Sequence, residues 1–288
     1  MADTTWHKDI ISWREQGRLC ISVPFTWLLP KARALVLAHG AERAVAGGPA
    51  VQLMPEYVAE WADTAPMTLL QAPLTKYHRD ATRTTRGCPM SCAFCGVRRI
   101  EGEYQELADW PAGRILCDSN LMACSDKHFA RVVESLRGQE AVDLQGIEPR
   151  FLTPERLEML KSLDVKHLRM GWDALGEEAA VWSAVEQIAA AGFPKTAVYI
   201  YCLIGFDDTP EDAQYRLGAV VERGYRPFPM RYQPLDALEK NSYVHPAWTH
   251  KELDRTCSYY ANLRYTQAVP FAEYQHHRPY RKGQLTLA

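Results

Sequence analysis

The stretch TTRGCPMSCAFCGVRR, residues 84–99, sets Cys88, Cys92 and Cys95 within eight residues, just after Gly87 and just before Arg98 and Arg99. Thiols this close imply a shared ligand. Structural zinc wants four closed ligands, usually as two separated pairs, and Cys117 and Cys124 are too far apart to form the second pair. A thiol redox centre needs only Cys92 and Cys95 and leaves Cys88 unexplained. An iron–sulfur cubane fits the spacing better, because three thiolates can each take one iron and leave the fourth open to a substrate or cofactor. Zinc and redox thiols stay as the competing readings.

Downstream of this loop the pattern becomes regular. Short β-rich runs at 113–119, 141–147, 165–172, 196–206 and 227–235 alternate with helical runs at 126–138, 153–163, 176–192 and 209–224. Thr153-Pro154 and Thr209-Pro210 read as N-cap and first-turn pairs, and Gly192 and Gly224 as helix stops. Strand followed by helix, repeated, implies parallel strands with right-handed crossovers. With residues 76–87 feeding the first strand, this predicts about six βα units, a partial or complete barrel whose chemistry gathers at the carboxyl ends of the strands. The fold class expected is therefore α/β, a partial (β/α)6 TIM-like barrel over 76–236. A short N-terminal α/β extension at 1–75 and a helical or irregular C-terminal cover at 237–288 flank it.

Composition limits the alternatives. Lys plus Arg total 33 against 35 Asp plus Glu, so no global basic field draws nucleic acid or an anionic membrane. No run approaches the ~20 apolar residues of a membrane span, and the opening MADTTWHKDIISWREQG has no signal-peptide core. A cytoplasmic protein is expected, its other five cysteines mostly small buried residues.

Cys-x3-Cys-x2-Cys, with an aromatic before the last cysteine and TTRGCP leading in, resembles the signature loop of the radical S-adenosylmethionine (radical SAM) enzymes. The resemblance implies a [4Fe-4S] cluster on Cys88, Cys92 and Cys95, whose open iron chelates SAM. It further implies reductive cleavage to a 5′-deoxyadenosyl radical that abstracts hydrogen from a substrate, with flavodoxin or ferredoxin as electron donor. It spans roughly residues 20–270. AVAGGPAVQLMPEYV resembles the linker of the cobalamin-dependent branch, but only 87 residues precede Cys88, too few for a full cobalamin domain, so cobalamin is not expected.

The resemblance also nominates SAM contacts. Asp118 and Asn120, at the second strand end, stand where the family usually has Gly-Gly-Glu, and helix capping is their other reading. Arg150 is a candidate fork for the SAM carboxylate, or a structural partner of Glu148. Asp173 suits the ribose hydroxyls or an N-cap; Ile204 and Gly205 match the stretch that packs on adenine. Arg231 or Tyr232 is expected to meet substrate or adenine. Arg86, Arg98 and Arg99 either raise the cluster potential or are solvated loop charges. The Tyr-, His- and Arg-rich tail suits nucleotide binding or a cover over the barrel mouth, so the substrate is open between a small molecule and a nucleotide, with nucleic acid undecided. A non-catalytic zinc or iron–sulfur interaction module is the reading from a different class.

Overall fold

The computed structural model describes residues 6–39, 44–65 and 71–275. Two sheets organise them. The first carries strands β1 (Ile11–Glu15), β2 (Arg18–Ser22), β3 (Ala44–Gly47) and β4 (Ala62–Thr64) in that order, with β1 antiparallel to β2 and the others parallel. Helix Leu29–Ala38 begins with a proline in its first turn, and together with β2 and β3 it buries Ile21, Val23, Leu29, Val36 and Ala46. The run 49–59 forms two short helices, Pro49–Leu53 and Pro55–Ala59. Pro55 supplies no N–H to continue the first and opens the second instead.

The second sheet holds β5 (Ala81–Thr82), β8 (Ile115–Leu116), β9 (Val142–Ile147), β10 (Val165–Gly171), β11 (Val198–Ile204) and β12 (Arg226–Arg231), all parallel and in chain order across the sheet. A two-stranded ribbon of β6 (Thr85–Arg86) and β7 (Gln105–Glu106) interrupts the series after β5. β5 and β12 lie at opposite edges and do not pair, so the sheet is open and the complete barrel does not form among the described residues. β12 suits an edge, because Pro227 and Pro229 cannot donate to a further strand.

Helices Asp126–Leu136, Pro154–Leu160, Glu178–Ala190 and Pro210–Glu222 connect the strands. Thr153 and Thr209 cap theirs by accepting from the N–H groups of Arg156 and Asp212, and Gly192 and Gly224 follow the later two at positive φ. One face of the sheet packs on these helices: Leu144, Leu168, Trp172, Ile200 and Leu217 are fully buried between them. The tail adds helices His250–Tyr260 and Leu263–Ala268. No helix among the described residues is long and apolar enough to cross a membrane.

Arg216 ties the carboxyl ends of β10 and β11 together. With no exposed side-chain surface, it donates to the Trp172 and Leu203 carbonyls and pairs with Asp208 at 2.6 Å. Removing one member of such a pair leaves the other charge buried and unmatched, which costs about 3–5 kcal/mol. Arg216→Leu is expected to lose that much unfolding free energy in urea titrations; a loss under 1 kcal/mol would show that the pair does not hold the strand ends.

Candidate functional site

The cysteine loop is an excursion whose two ends are pinned together. β6 and β7 pair antiparallel on either side of it, and the Leu107 N–H donates to the Thr84 carbonyl at 2.9 Å. Beneath it lies Asp118, just past β8 and only 2% exposed. Its Oδ1 accepts from the Thr84 N–H and hydroxyl at 2.9 and 3.0 Å, from the Thr85 hydroxyl at 2.7 Å and from the Thr85 N–H. Burial pushes the Asp118 carboxyl above its usual range although all four donors pull the other way. Glu101, also buried, accepts from Arg83, from the Ser119 hydroxyl at 2.9 Å and from the Gly87 N–H at 2.7 Å. Gly87 has φ +71°, and a Cβ there would stand 2.6 Å from the Glu103 carbonyl oxygen, so only glycine turns the chain into the loop.

The three thiols are unpaired; Cys88 and Cys92 are half-buried and Cys95 is exposed. Loss of water around the sulfurs pushes the Cys92 and Cys95 thiols up, and the neighbouring thiols and Asp173 push them further. Asn120 is 1% exposed and donates its Nδ2 to the Cys88 sulfur at 3.3 Å, while its Oδ1 is buried without a partner. Among the described residues no three His, Cys, Asp or Glu side chains converge as a ready metal cage. The loop thus supplies three mutually interacting soft donors and an amide N–H aimed at one sulfur. This donor set fits an iron–sulfur cluster, whose binding must displace thiol protons and draw the ligands together.

The nominated SAM contacts divide. Asp173 stands beside the loop, its Oδ1 accepting from the Leu203 N–H at 3.1 Å and its own N–H donating to Glu177. Burial and then the Glu177 charge raise its carboxyl to about 6. It caps no helix, since Ala174 occupies that position, and neither Asp118 nor Asn120 caps the helix at 126, where Ser125 accepts from the His128 N–H. Arg150 forms a two-pronged pair with Glu148 at 2.5 and 3.0 Å, which is the structural alternative. The Ile204 side chain is wholly buried in the core. Gly205 has φ +78°, and a Cβ there would meet Leu253 Cδ2 at 2.9 Å, so its missing side chain admits the tail helix. Arg231 is engaged by Asp254 and by the Asn241 and Tyr243 carbonyls, anchoring that tail.

Tyr232 belongs to a chain of rings that sequence reading did not find. Phe94, inside the cysteine motif, meets Phe206 at 5.7 Å; Phe206 meets Tyr232 at 4.8 Å, and Tyr232 meets Tyr243 at 5.3 Å. The sequence signal was an aromatic within two residues of each of the last two strand ends, Phe206 after Ile204 and Tyr232 after Arg231. Glu101 was missed as well, since nothing in VRRIEGE distinguishes a buried acid from solvated neighbours. A cleft of about 700 Å³, lined by Pro89, Met122, Phe129, Phe151 and Arg156 among others, opens beside the loop.

Two outcomes follow for the metal-free chain. Asp118→Ala strands two backbone and two hydroxyl donors, lowering unfolding free energy by about 3 kcal/mol and exposing Arg86, Arg98 and Arg99 to trypsin; an unchanged urea midpoint would overturn the clamp. Asp173 holds its proton more tightly folded than unfolded, so its ionisation opposes folding: the penalty is absent below about pH 4 and grows until the pH passes 6. Asp173→Asn is accordingly expected to gain stability relative to the parent between pH 4 and 7, by on the order of 1 kcal/mol, and a pH-independent difference would contradict it.

No family model matches the chain, and no curated protein matches it. Among solved structures, the coproporphyrinogen III oxidase HemN from Escherichia coli, a radical SAM enzyme, is similar with a TM-score of 0.34 and 17% identity, over 42% of this chain and 32% of that one. The chain thus covers about a third of that enzyme's length.

Proposed function

We propose that this chain is a radical SAM enzyme that binds a [4Fe-4S] cluster through Cys88, Cys92 and Cys95. The observation that carries this reading is the placement of three unpaired thiols on one pinned loop after the first strand of a parallel βα sheet ordered in sequence. The open sheet over 76–236 serves as a partial barrel, 1–75 as an α/β extension and 237–288 as its cover. When bound, the cluster supplies the electron that cleaves SAM to methionine and a 5′-deoxyadenosyl radical.

The protein's own part is to hold, orient and shield. Asn120 steadies the Cys88 sulfur through its amide N–H, and hydrogen bonds to such sulfurs raise a cluster's potential. Asp173, beside the loop with an acceptor oxygen, suits a SAM hydroxyl or ammonium. Arg150, Ile204 and Gly205 are engaged within the protein and contribute at most backbone atoms and local charge, while Asp118 holds the loop. A flavodoxin or ferredoxin is the matching reductant, in a cytoplasmic setting, and the substrate is a small molecule or a nucleotide.

Anaerobic reconstitution with iron and sulfide tests the assignment. Brown protein with about four irons per chain, releasing 5′-deoxyadenosine from SAM under dithionite, is expected, and the Cys88→Ala, Cys92→Ala, Cys95→Ala triple variant should lose both. Colourless zinc-loaded protein, or a cluster whose spectrum ignores SAM, would instead give the loop to a metal-stapled interaction module.

A further inference from the structure

The helix-packed face of the second sheet is apolar, but its other face is built differently. Alternation along the strands puts Asp143 of β9, His167, Arg169 and Gly171 of β10, Tyr199 and Tyr201 of β11, and Arg226 and Phe228 of β12 on that side. Register aligns them in rows. Arg169, Tyr199 and Arg226 lie side by side, and one step nearer the carboxyl ends so do Gly171, Tyr201 and Phe228. Parallel sheets normally bury both faces under apolar side chains. Here Phe228 is 40% and Met230 45% exposed, and polar groups stand where a second layer would pack.

Those polar groups are held in place. Asp143 grips Arg169 through both oxygens at 2.6 Å and accepts from His167 at 3.0 Å; Arg169 also donates to the Tyr201 hydroxyl at 2.7 Å. Burial pushes Asp143 up, but its partners outweigh that and keep its carboxyl below the ordinary range, whereas burial lowers His167. Asp143 and Arg169 thus cancel, and His167 adds no charge at neutral pH. Arg226 lies over the Tyr199 ring at 4.8 Å and donates to its hydroxyl, with no carboxylate paired to it among the described residues. The face carries one unmatched cation flanked by aromatic walls.

Gly171 puts no side chain between Arg169 and Asp173, and a Cβ built there would crowd the Asp173 carboxylate at 3.2 Å. A glycine inside a strand commonly marks close approach by a ligand. Phe94 of the cysteine loop meets Phe206, just past β11, at 5.7 Å, so the carboxyl ends of these strands face that loop. The two strand steps from Arg169 to Gly171 span about 7 Å, the length of a small aromatic ring with its polar end group.

We propose that this face binds a small organic acid with a planar body, its anionic group on Arg226 and the Tyr199 hydroxyl, its body over Gly171 between Tyr201 and Phe228, and its far end toward the cysteine loop. The radical SAM reading is needed only for what then happens to the acid. The segment 276–288 is a poor occupant, because Arg278, Arg281 and Lys282 make it basic and none of its side chains is acidic.

Saturation-transfer NMR on the full-length, metal-free protein tests binding with benzoate, phenyl phosphate and the neutral isostere benzamide. Benzoate or phenyl phosphate is expected to bind at least tenfold more tightly than benzamide, and whichever binds better identifies the anion as carboxylate or phosphate. Arg226→Gln should remove that preference with its circular dichroism unchanged, and Gly171→Val should weaken all three probes by filling the notch. Equal binding of benzoate and benzamide, or an Arg226→Gln variant that keeps the preference, overturns the proposal. So does a dimer that Phe228→Glu dissociates, which would give the face to a second copy of the chain. The binding arm uses neither iron nor SAM, so wild-type protein that selects the anion yet yields no 5′-deoxyadenosine overturns the enzymatic reading alone.

Discussion

One carboxylate oxygen organises the mouth of this protein. Asp118 Oδ1 gathers both backbone N–H groups and both hydroxyls of Thr84 and Thr85, so the chain enters the cysteine loop already fixed in direction. The same residue's carbonyl faces Gly146, where a Cβ would lie 2.1 Å away and where φ is +71°. Three strand ends, those of β5, β8 and β9, therefore converge on Asp118, and glycine at 146 lets the third come that close. Burial of the acid is unfavourable by itself. Four donors on one oxygen offset that, and the result is a loop base with few alternatives.

Arginine performs the corresponding task on the far side. Strand carboxyl ends leave carbonyls without ladder partners, and Arg216 serves those of Trp172 and Leu203 from within the core. Arg156 holds the Met122 and Cys124 carbonyls of the segment after β8, and Arg231 the Asn241 and Tyr243 carbonyls of the tail. Each is balanced locally by an acid, Asp208, Asp126 or Asp254. The planar fork spans two carbonyls at once, which a lysine would not. Many arginines near the mouth thus produce little field there.

The repeating βα order, the Thr-Pro caps and the glycine stops were legible because each is a local signal: apolar period, a side-chain acceptor, a positive φ. The cysteine motif was legible because spacing alone encodes it. What escaped depended on partners distant in sequence. Asp118 reads as a helix cap until Thr84 and Thr85 are seen to reach it, and Gly205 reads as a ligand platform until Leu253, 48 residues later, fills the space. Glu148 and Arg150 were weighed as a pair because they are two residues apart. β1 and the two-residue strands β5 and β8 are too short or too polar for a period to register. The polar sheet face was present as alternation in VKHLRMG and VYIYCLI, but its meaning required the register that brings Asp143, Arg169 and Tyr201 together.

The order of the strands bears on how the chain is made. Because β5, β8, β9, β10, β11 and β12 are neighbours in the sheet in the same sequence as along the chain, each new strand can dock on an edge already formed. Domains synthesised at about 5–20 residues per second fold largely from the N-terminal side, so the Asp118 clamp on the cysteine loop needs nothing beyond β8. The tail segment that lays Leu253 over Gly205, and Trp248 against Asp208, emerges after every strand of the sheet. For several seconds of synthesis the cysteine loop precedes the tail that later packs at the ends of β11 and β12.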